Sequence, residues 1–120
     1  MKMLDKPLPV YKTRTAEQKI IEIAKWSAKK WGRDTARDYL NNIERIINLV
    51  AAGLLHTQSN SEFSDRFTFC ITKQHYIFFE IRDDKLIIAT LFHTAMAIKE
   101  RISEEQLRLE QEIIRDEGSF

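Results

Sequence analysis

This sequence of 120 residues lacks a second cysteine and lacks any long apolar run. The single cysteine, Cys70, excludes an intrachain disulfide and any zinc site built from cysteines. No apolar run approaches the roughly 18 residues that a membrane-spanning helix needs. The first residues, Met1 to Pro7, contain no apolar signal core. These absences predict a cytoplasmic protein without a membrane segment. We also expect no metal ion and no cofactor.

Charge is balanced overall but is unevenly distributed along the chain. The formal net charge is +1, and apolar residues make up 43% of the chain, which is typical of one globular domain. Residues 1–102 hold 17 Lys and Arg against 12 Asp and Glu, whereas residues 103–120 hold 2 against 6. The body is therefore basic and the tail acidic. Within the body, the cations are spread through both helices, and no strand end rich in Lys and Arg carries an aromatic residue ready to stack a base.

The centre of the fold is predicted between His75 and His93. Two runs of aromatic and branched apolar residues, 76–82 and 86–92, flank the polar connection Asp83-Asp84-Lys85. This pattern predicts a β-hairpin. Neither run alternates between apolar and polar residues, which is typical of strands that are covered on both faces. The hairpin is therefore expected in the middle of a small sheet.

Helical spacing of apolar residues predicts a helical hairpin earlier in the chain. The first helix is expected to begin at a capping box formed by Thr15 and Gln18 and to end at Gly32. The second helix is expected between residues 34 and 53. A short strand over residues 8–14 precedes both helices, and its prolines place it near a sheet edge.

The meander and the tail complete the predicted order of elements. A strand over residues 66–72 alternates in polarity and precedes the central hairpin. After the hairpin, a short helix over 94–102 is followed by a separate helix with a capping box at Ser103. The order β-α-α-β-β-β-α-α predicts an α+β fold of two layers, a helical hairpin packed on a small, mainly antiparallel sheet. We expect one domain over 1–102 and an acidic helical extension over 103–120.

A series of short motifs accompanies this order of elements. The motifs are Val10-Tyr11-Lys12, Ile20, Ile23, Trp31-Gly32, Ala36, Tyr39-Leu40, Arg66, the stretch 76–81 and Leu91-Phe92-His93. Over residues 10–101 the chain resembles the RelE/ParE superfamily of toxins from type II toxin–antitoxin systems, and most closely its ParE branch. The loop 55–59 departs from the ParE pattern, which usually has Asn-Pro and Gly there, and the tail from Ser103 is longer than the family usually needs.

The resemblance implies one of two modes of toxicity. ParE-like toxins poison DNA gyrase without enzymatic activity, whereas RelE-like toxins cut messenger RNA on the ribosome. RNA cleavage needs a base, an acid and cations around the phosphate, and the candidates are Arg66, His75, Arg82, His93 and Glu62. Arg66 and His93 could share one end of the sheet, while structural roles for both are the alternative. His75 is expected to be an exposed turn residue.

Charge favours the ParE-like interpretation. A protein that binds ribosomal RNA gains affinity from many contacts between basic side chains and phosphates, and a pI of about 7.9 is low for such a protein. Charge thus favours the ParE branch, and the resemblance to that branch implies a non-enzymatic gyrase inhibitor. The alternatives are a ribosome-dependent messenger RNA endoribonuclease and an inactive homologue that binds only an antitoxin.

The resemblance also implies a cognate antitoxin and DNA gyrase as partners, with nucleic acid contacted only through a complex. Trp26 lies at the edge of the first helix's apolar stripe and is a candidate antitoxin contact. Packing of Trp26 on the second helix is the alternative.

The apolar residues of the tail fall on two sides of the last predicted helix. Ile102, Leu109 and Ile113 gather on one side, and Leu107 and Ile114 lie on roughly the opposite side. We expect the first side to pack on the body and the second to contact the antitoxin or a second copy of the chain.

Overall fold

The chain folds around the hairpin that was predicted between His75 and His93. The structure, a computed structural model, describes residues 6–55, 57, 64, 66–94 and 98–117, so Glu62 and most of the loop before the meander lie outside the described residues. The elements are β1 (Val10–Lys12), α1 (Arg14–Trp31), α2 (Arg33–Ala51), β2 (Thr68–Ile71), β3 (His75–Arg82), β4 (Lys85–His93) and α3 (Ile98–Glu117). The predicted α+β class, with a helical hairpin on a mainly antiparallel sheet, is confirmed.

A two-residue turn joins β3 to β4. Asp83 and Asp84 both have positive φ angles, 52° and 60°, which is the conformation of a type I′ turn and matches the twist of the flanking strands. Lys85 was predicted in the connection, but it begins β4 and pairs with Arg82. The turn sets the register from the Arg82–Lys85 pair to the Phe79–Ile88 pair. An irregularity between Phe78 and Phe79 then shifts the pairing by one residue, and the hairpin ends with His75 opposite His93.

The sheet has the strand order β1-β4-β3-β2, with β1 parallel to β4 at one edge and the other pairs antiparallel. The helices α1 and α2 cover one face of the sheet, and α3 covers the other. The expectation that both faces of the hairpin are covered is therefore confirmed, and α3 adds a third layer to the two that were predicted. The buried residues beneath and on α3 are Phe67, Phe69, Phe78, Ile87, Ala89, Phe92, Ile102, Leu109 and Ile113.

The N-terminus of α1 differs from the prediction. Thr13, not Thr15, is the N-cap: its Oγ1 accepts a hydrogen bond from the backbone N–H of Ala16 at 3.0 Å and donates to the carbonyl of Ala89 at 2.6 Å. Thr15 instead donates its backbone N–H and its hydroxyl to the carboxylate of Glu112, at 2.8 and 2.7 Å. A carboxylate is favourable at a helix N-terminus, so α3 completes the cap of α1.

The two helices predicted after His93 are a single helix. Ser103 was expected to begin the second of them, but it lies inside α3. A capping-box sequence favours a helix start only where the preceding residues leave the helical conformation, and here the buried Ile102 belongs to the same helix. The proposed boundary between residues 102 and 103 thus falls within α3.

Among the described residues, no helix combines the length and the apolar character that a membrane span requires.

The two sides of α3 have opposite environments. Ile102, Leu109 and Ile113 are fully buried, which confirms the expectation that one side packs on the body. Leu107 and Ile114 are 68% and 60% exposed. Their exposure leaves the outer side of α3 available to a partner.

Candidate functional site

Five aromatic rings meet at the end of the sheet where β3 begins and β4 ends. Neighbouring rings have centroid distances between 5.1 and 6.0 Å and form a closed series of contacts. Their members, which we call the aromatic cluster, are Trp26, Trp31, Tyr39, His75 and His93. The cluster combines two residues of α1, one residue of α2 and the first pair of the hairpin. It therefore ties both helices to the end of the sheet.

Hydrogen bonds hold the inner part of the aromatic cluster. The Oη atom of Tyr39 lies 2.6 Å from Nδ1 of His75 and 2.9 Å from Oγ1 of Thr72. Oγ1 of Thr72 also accepts the backbone N–H of His75 at 3.0 Å. His75 is only 4% exposed, so the prediction of an exposed turn residue is wrong. The reason is tertiary, because Tyr39 of α2 covers the imidazole.

Burial sets the protonation state of this network. Desolvation by burial, together with the smaller effect of the neighbouring His93, lowers the pKa of His75 to about 4. Burial also raises the pKa of Tyr39. Both groups are neutral at pH 7, and the phenol hydroxyl can donate to Nδ1 while the imidazole hydrogen occupies Nε2. Because a general base works best with a pKa near the working pH, His75 is poorly suited to that role.

Two open clefts border the aromatic cluster. The larger has a volume of about 580 Å³ and lies between α2 and the β2–β3 turn, where Trp31 and Tyr39 face Asp38, Asn42 and Gln74. The smaller has a volume of about 260 Å³ and lies between α1 and β4, beside Trp26, His75 and His93. Each cleft thus combines aromatic rings with polar side chains.

Two lysine side chains, Lys30 and Lys73, lie beside the tryptophans of the aromatic cluster. Nζ of Lys30 lies 4.8 Å from the ring centroid of Trp26 and 5.9 Å from that of Trp31. Lys73 of the β2–β3 turn lines the larger cleft together with Trp31. Trp31 and Lys73 lie close together because Tyr39 of α2 forms hydrogen bonds with Thr72 and with His75, the first residue of β3. The fold therefore adds Lys73, which is distant in sequence, to the lysine that precedes Trp31.

Arg66 lies near the other end of the sheet and is held by two carboxylates. Its Nε and Nη2 atoms donate to Glu80 at 3.1 and 3.0 Å, and its Nη1 atom lies 3.1 Å from Glu110 of α3. The hydrogen bonds to Glu80 are the main reason that the pKa of Arg66 is raised. The expectation that Arg66 and His93 share a sheet end is wrong, and this geometry matches the structural alternative for Arg66.

The remaining predicted site residues lie on separate surfaces. Arg82 pairs with Lys85 beside the β3–β4 turn, at the opposite end of the hairpin from His75 and His93. Trp26 is 40% exposed, and its ring contacts those of Trp31 and His93. The structure thus brings together His75, His93 and Trp26, but it separates them from the two arginines.

Comparison with known proteins identifies the family. The sequence model of a family described as the ParE toxin of the type II toxin–antitoxin system, parDE, matches residues 10–98. This chain belongs to that ParE toxin family. Its fold is similar to a chain in the crystal structure of the toxin–antitoxin complex RelBE2 from Mycobacterium tuberculosis, with a TM-score of 0.57 and 13% identity over 79% of this chain and 100% of that one.

Sequence comparison with curated proteins gives no match. Family membership confirms the predicted resemblance to the RelE/ParE superfamily and makes this protein a toxin of a type II toxin–antitoxin system.

Proposed function

We propose that this ParE-family toxin stops growth by poisoning DNA gyrase, has no enzymatic activity of its own, and is neutralised by a cognate antitoxin. The observation that carries the proposal is the separation of the side chains that RNA cleavage would need. His75 and Glu80, the partner of Arg66, are five residues apart on β3. At roughly 3.3 Å per residue, about 17 Å of strand lies between them.

This separation argues against a shared phosphate site. A general base and its substrate proton must lie within hydrogen-bond distance, and the cation that stabilises the same phosphate must be equally close. Arg66 also has its charge balanced by Glu80 and Glu110. The gyrase target itself rests on membership of the ParE family and on the ParE-like motifs of the sequence.

Purified toxin is expected to trap gyrase on DNA. Incubation with gyrase and supercoiled plasmid, followed by detergent and protease, should yield linear plasmid in proportion to the toxin concentration. Ribosomes programmed with end-labelled messenger RNA should yield no new cleavage products in a parallel reaction. Cleaved messenger RNA with intact plasmid would instead assign the toxin to the RelE-like alternative, and an inactive homologue would leave both substrates intact.

The variant His93→Gln is expected to remain toxic, because His93 contacts Trp26 and His75 as part of the aromatic cluster. Loss of one hydrogen bond would lower the free energy of unfolding by about 1 kcal/mol. Growth after induction and urea unfolding measure the two effects. A variant that folds as well as the wild type but no longer inhibits growth would contradict the proposal and favour catalysis by His93.

The outer side of α3 is proposed to contact the antitoxin or a second copy of the toxin. The double variant Leu107→Ser/Ile114→Ser should keep the wild-type stability, because both residues are largely exposed. It should weaken antitoxin binding or reduce the oligomeric mass, measured by titration calorimetry and light scattering. Ile81→Ser, which is also at a 60% exposed position, is the matched control on another surface. Unchanged affinity and mass in the double variant would refute this interface.

A further inference from the structure

We propose that the basic side chains around the aromatic cluster make this end of the molecule a binding surface for single-stranded nucleic acid. The surface consists of Trp26, Lys29, Lys30, Trp31 and Lys73, together with the larger cleft beside them. The inference goes beyond the proposed function, because direct binding of a nucleic acid strand requires neither gyrase nor an antitoxin.

The charge of this surface is available to phosphates. Lys29, Lys30 and Lys73 are exposed, and none of them forms an ion pair with a carboxylate of the described residues. Elsewhere, by contrast, Lys12 pairs with Glu44 and Lys19 with Glu105. Unpaired cations that meet phosphates release condensed counterions, which is the main source of sequence-independent affinity for nucleic acids.

The aromatic side chains suit unpaired bases. Trp26 is 40% exposed, and its contacts with Trp31 and His93 are edge-on, with interplanar angles of 75° and 74°. These contacts fix the indole, and Nζ of Lys30 lies over its ring at 4.8 Å from the centroid. The exposed remainder of the side chain is in contact with solvent. Lys29 and Lys30 follow Trp26 by three and four residues and are its neighbours on the helix surface. Exposed aromatic rings beside cations are typical of surfaces that stack single-stranded bases and bind their phosphates.

The larger cleft distinguishes a nucleic acid strand from an acidic peptide. Asp38 lies in the cleft with Asn42 and Gln74, beside Trp31. The carboxylate of Asp38 repels a phosphate or an acidic side chain, but it can accept hydrogen bonds from a base. The cleft is thus suited to the base of a nucleotide, while the lysines outside it are suited to the backbone. A duplex would hide its bases from both Trp26 and the cleft.

Fluorescence anisotropy of labelled 12-nucleotide oligo(dT) and oligo(rU), titrated with the full chain between 50 and 200 mM NaCl, tests the proposal. We expect Trp26→Ala to weaken binding by roughly fivefold to a hundredfold, the effect of losing one stacked base. Lys29→Gln/Lys30→Gln should reduce the slope of log K against log[salt] by about 1.4, the value for two phosphate contacts on a single strand. The difference between the two oligonucleotides identifies DNA or RNA as the preferred strand.

Lys6→Gln/Arg115→Gln is the matched control, because it removes two exposed charges that line neither of the two clefts beside the aromatic cluster. This variant should bind like the wild type, and thermal unfolding checks that every variant is folded. The proposal is overturned if neither oligonucleotide binds at 50 mM NaCl, if the control loses as much affinity as the lysine variant, or if Trp26→Ala binds normally. Tighter binding of a 12-base-pair duplex or of polyglutamate would also overturn it, the latter in favour of an acidic protein partner.

Discussion

Replacement of Leu109 by alanine is expected to lower the free energy of unfolding by about 3 kcal/mol, the usual cost of a cavity in a packed core. Leu109 is fully buried between α3 and the sheet, beside Phe78 and Phe92. Leu107→Ala is the matched control two positions away, since Leu107 is 68% exposed. Its effect should be below about 0.5 kcal/mol. Urea unfolding followed by tryptophan fluorescence measures both.

Equal effects of the two substitutions would mean that α3 does not pack on the sheet as described.

The packing of α3 on the sheet also predicts that truncation after Ile102 abolishes cooperative unfolding. Truncation removes Leu109, Ile113 and the carboxylate of Glu112 that bonds Thr15, and a small domain is stable by only about 5–15 kcal/mol. Truncation is therefore a test of folding, and the surface variants of Leu107 and Ile114 are the cleaner test of a partner.

Acidification is expected to destabilise the protein through His75. The pKa of this imidazole is about 4 in the folded chain against an ordinary value of 6.5. Below pH 6.5 the unfolded chain therefore binds a proton that the folded chain does not, so stability is full above this pH and falls as the pH decreases toward 4. The loss between about pH 7 and pH 5 should be about 2 kcal/mol.

His75→Asn isolates this contribution, because an amide oxygen can replace Nδ1 as the acceptor for Tyr39 and does not titrate. Urea unfolding at several pH values should show a flatter pH dependence for His75→Asn than for the wild type. His93→Gln is the control variant and should retain most of the wild-type slope. If His75→Asn and the wild type lost the same stability on acidification, the buried imidazole would not be its source.

Local patterns predicted the elements, and long-range contacts decided their ends. The apolar runs of β3 and β4 correctly indicated strands with two covered faces, because such runs report burial directly. The helix starts predicted from the capping boxes at Thr15 and Ser103 were wrong. Thr13 is the N-cap and donates a hydrogen bond to the carbonyl of Ala89, and Ile102 packs against the sheet as part of the same helix as Ser103. Both partners are distant in sequence, so a four-residue pattern contains no information about them.

The candidate site was only partly predictable for the same reason. His93 could be selected from its position in a motif, and Trp26 from its position at the edge of an apolar stripe. The burial of His75 depends on Tyr39, which is 36 residues earlier, and the pairing of Arg66 with Glu110 depends on the course of α3. The proximity of Lys73 to Trp31 depends on the position of the β2–β3 turn beside the end of α1. Residue types therefore suggested candidates, while packing decided which of them meet.

The bond between Glu112 and Thr15 has a consequence for the timing of folding. Its partners are 97 residues apart, and the sheet leaves the ribosome before α3 does. During that interval the apolar face formed by Phe67, Phe69 and Phe78 has no cover from its own chain. Nascent chains with exposed apolar surface are prone to misassembly. The protein thus acquires its finished surface only once α3 has packed on the sheet.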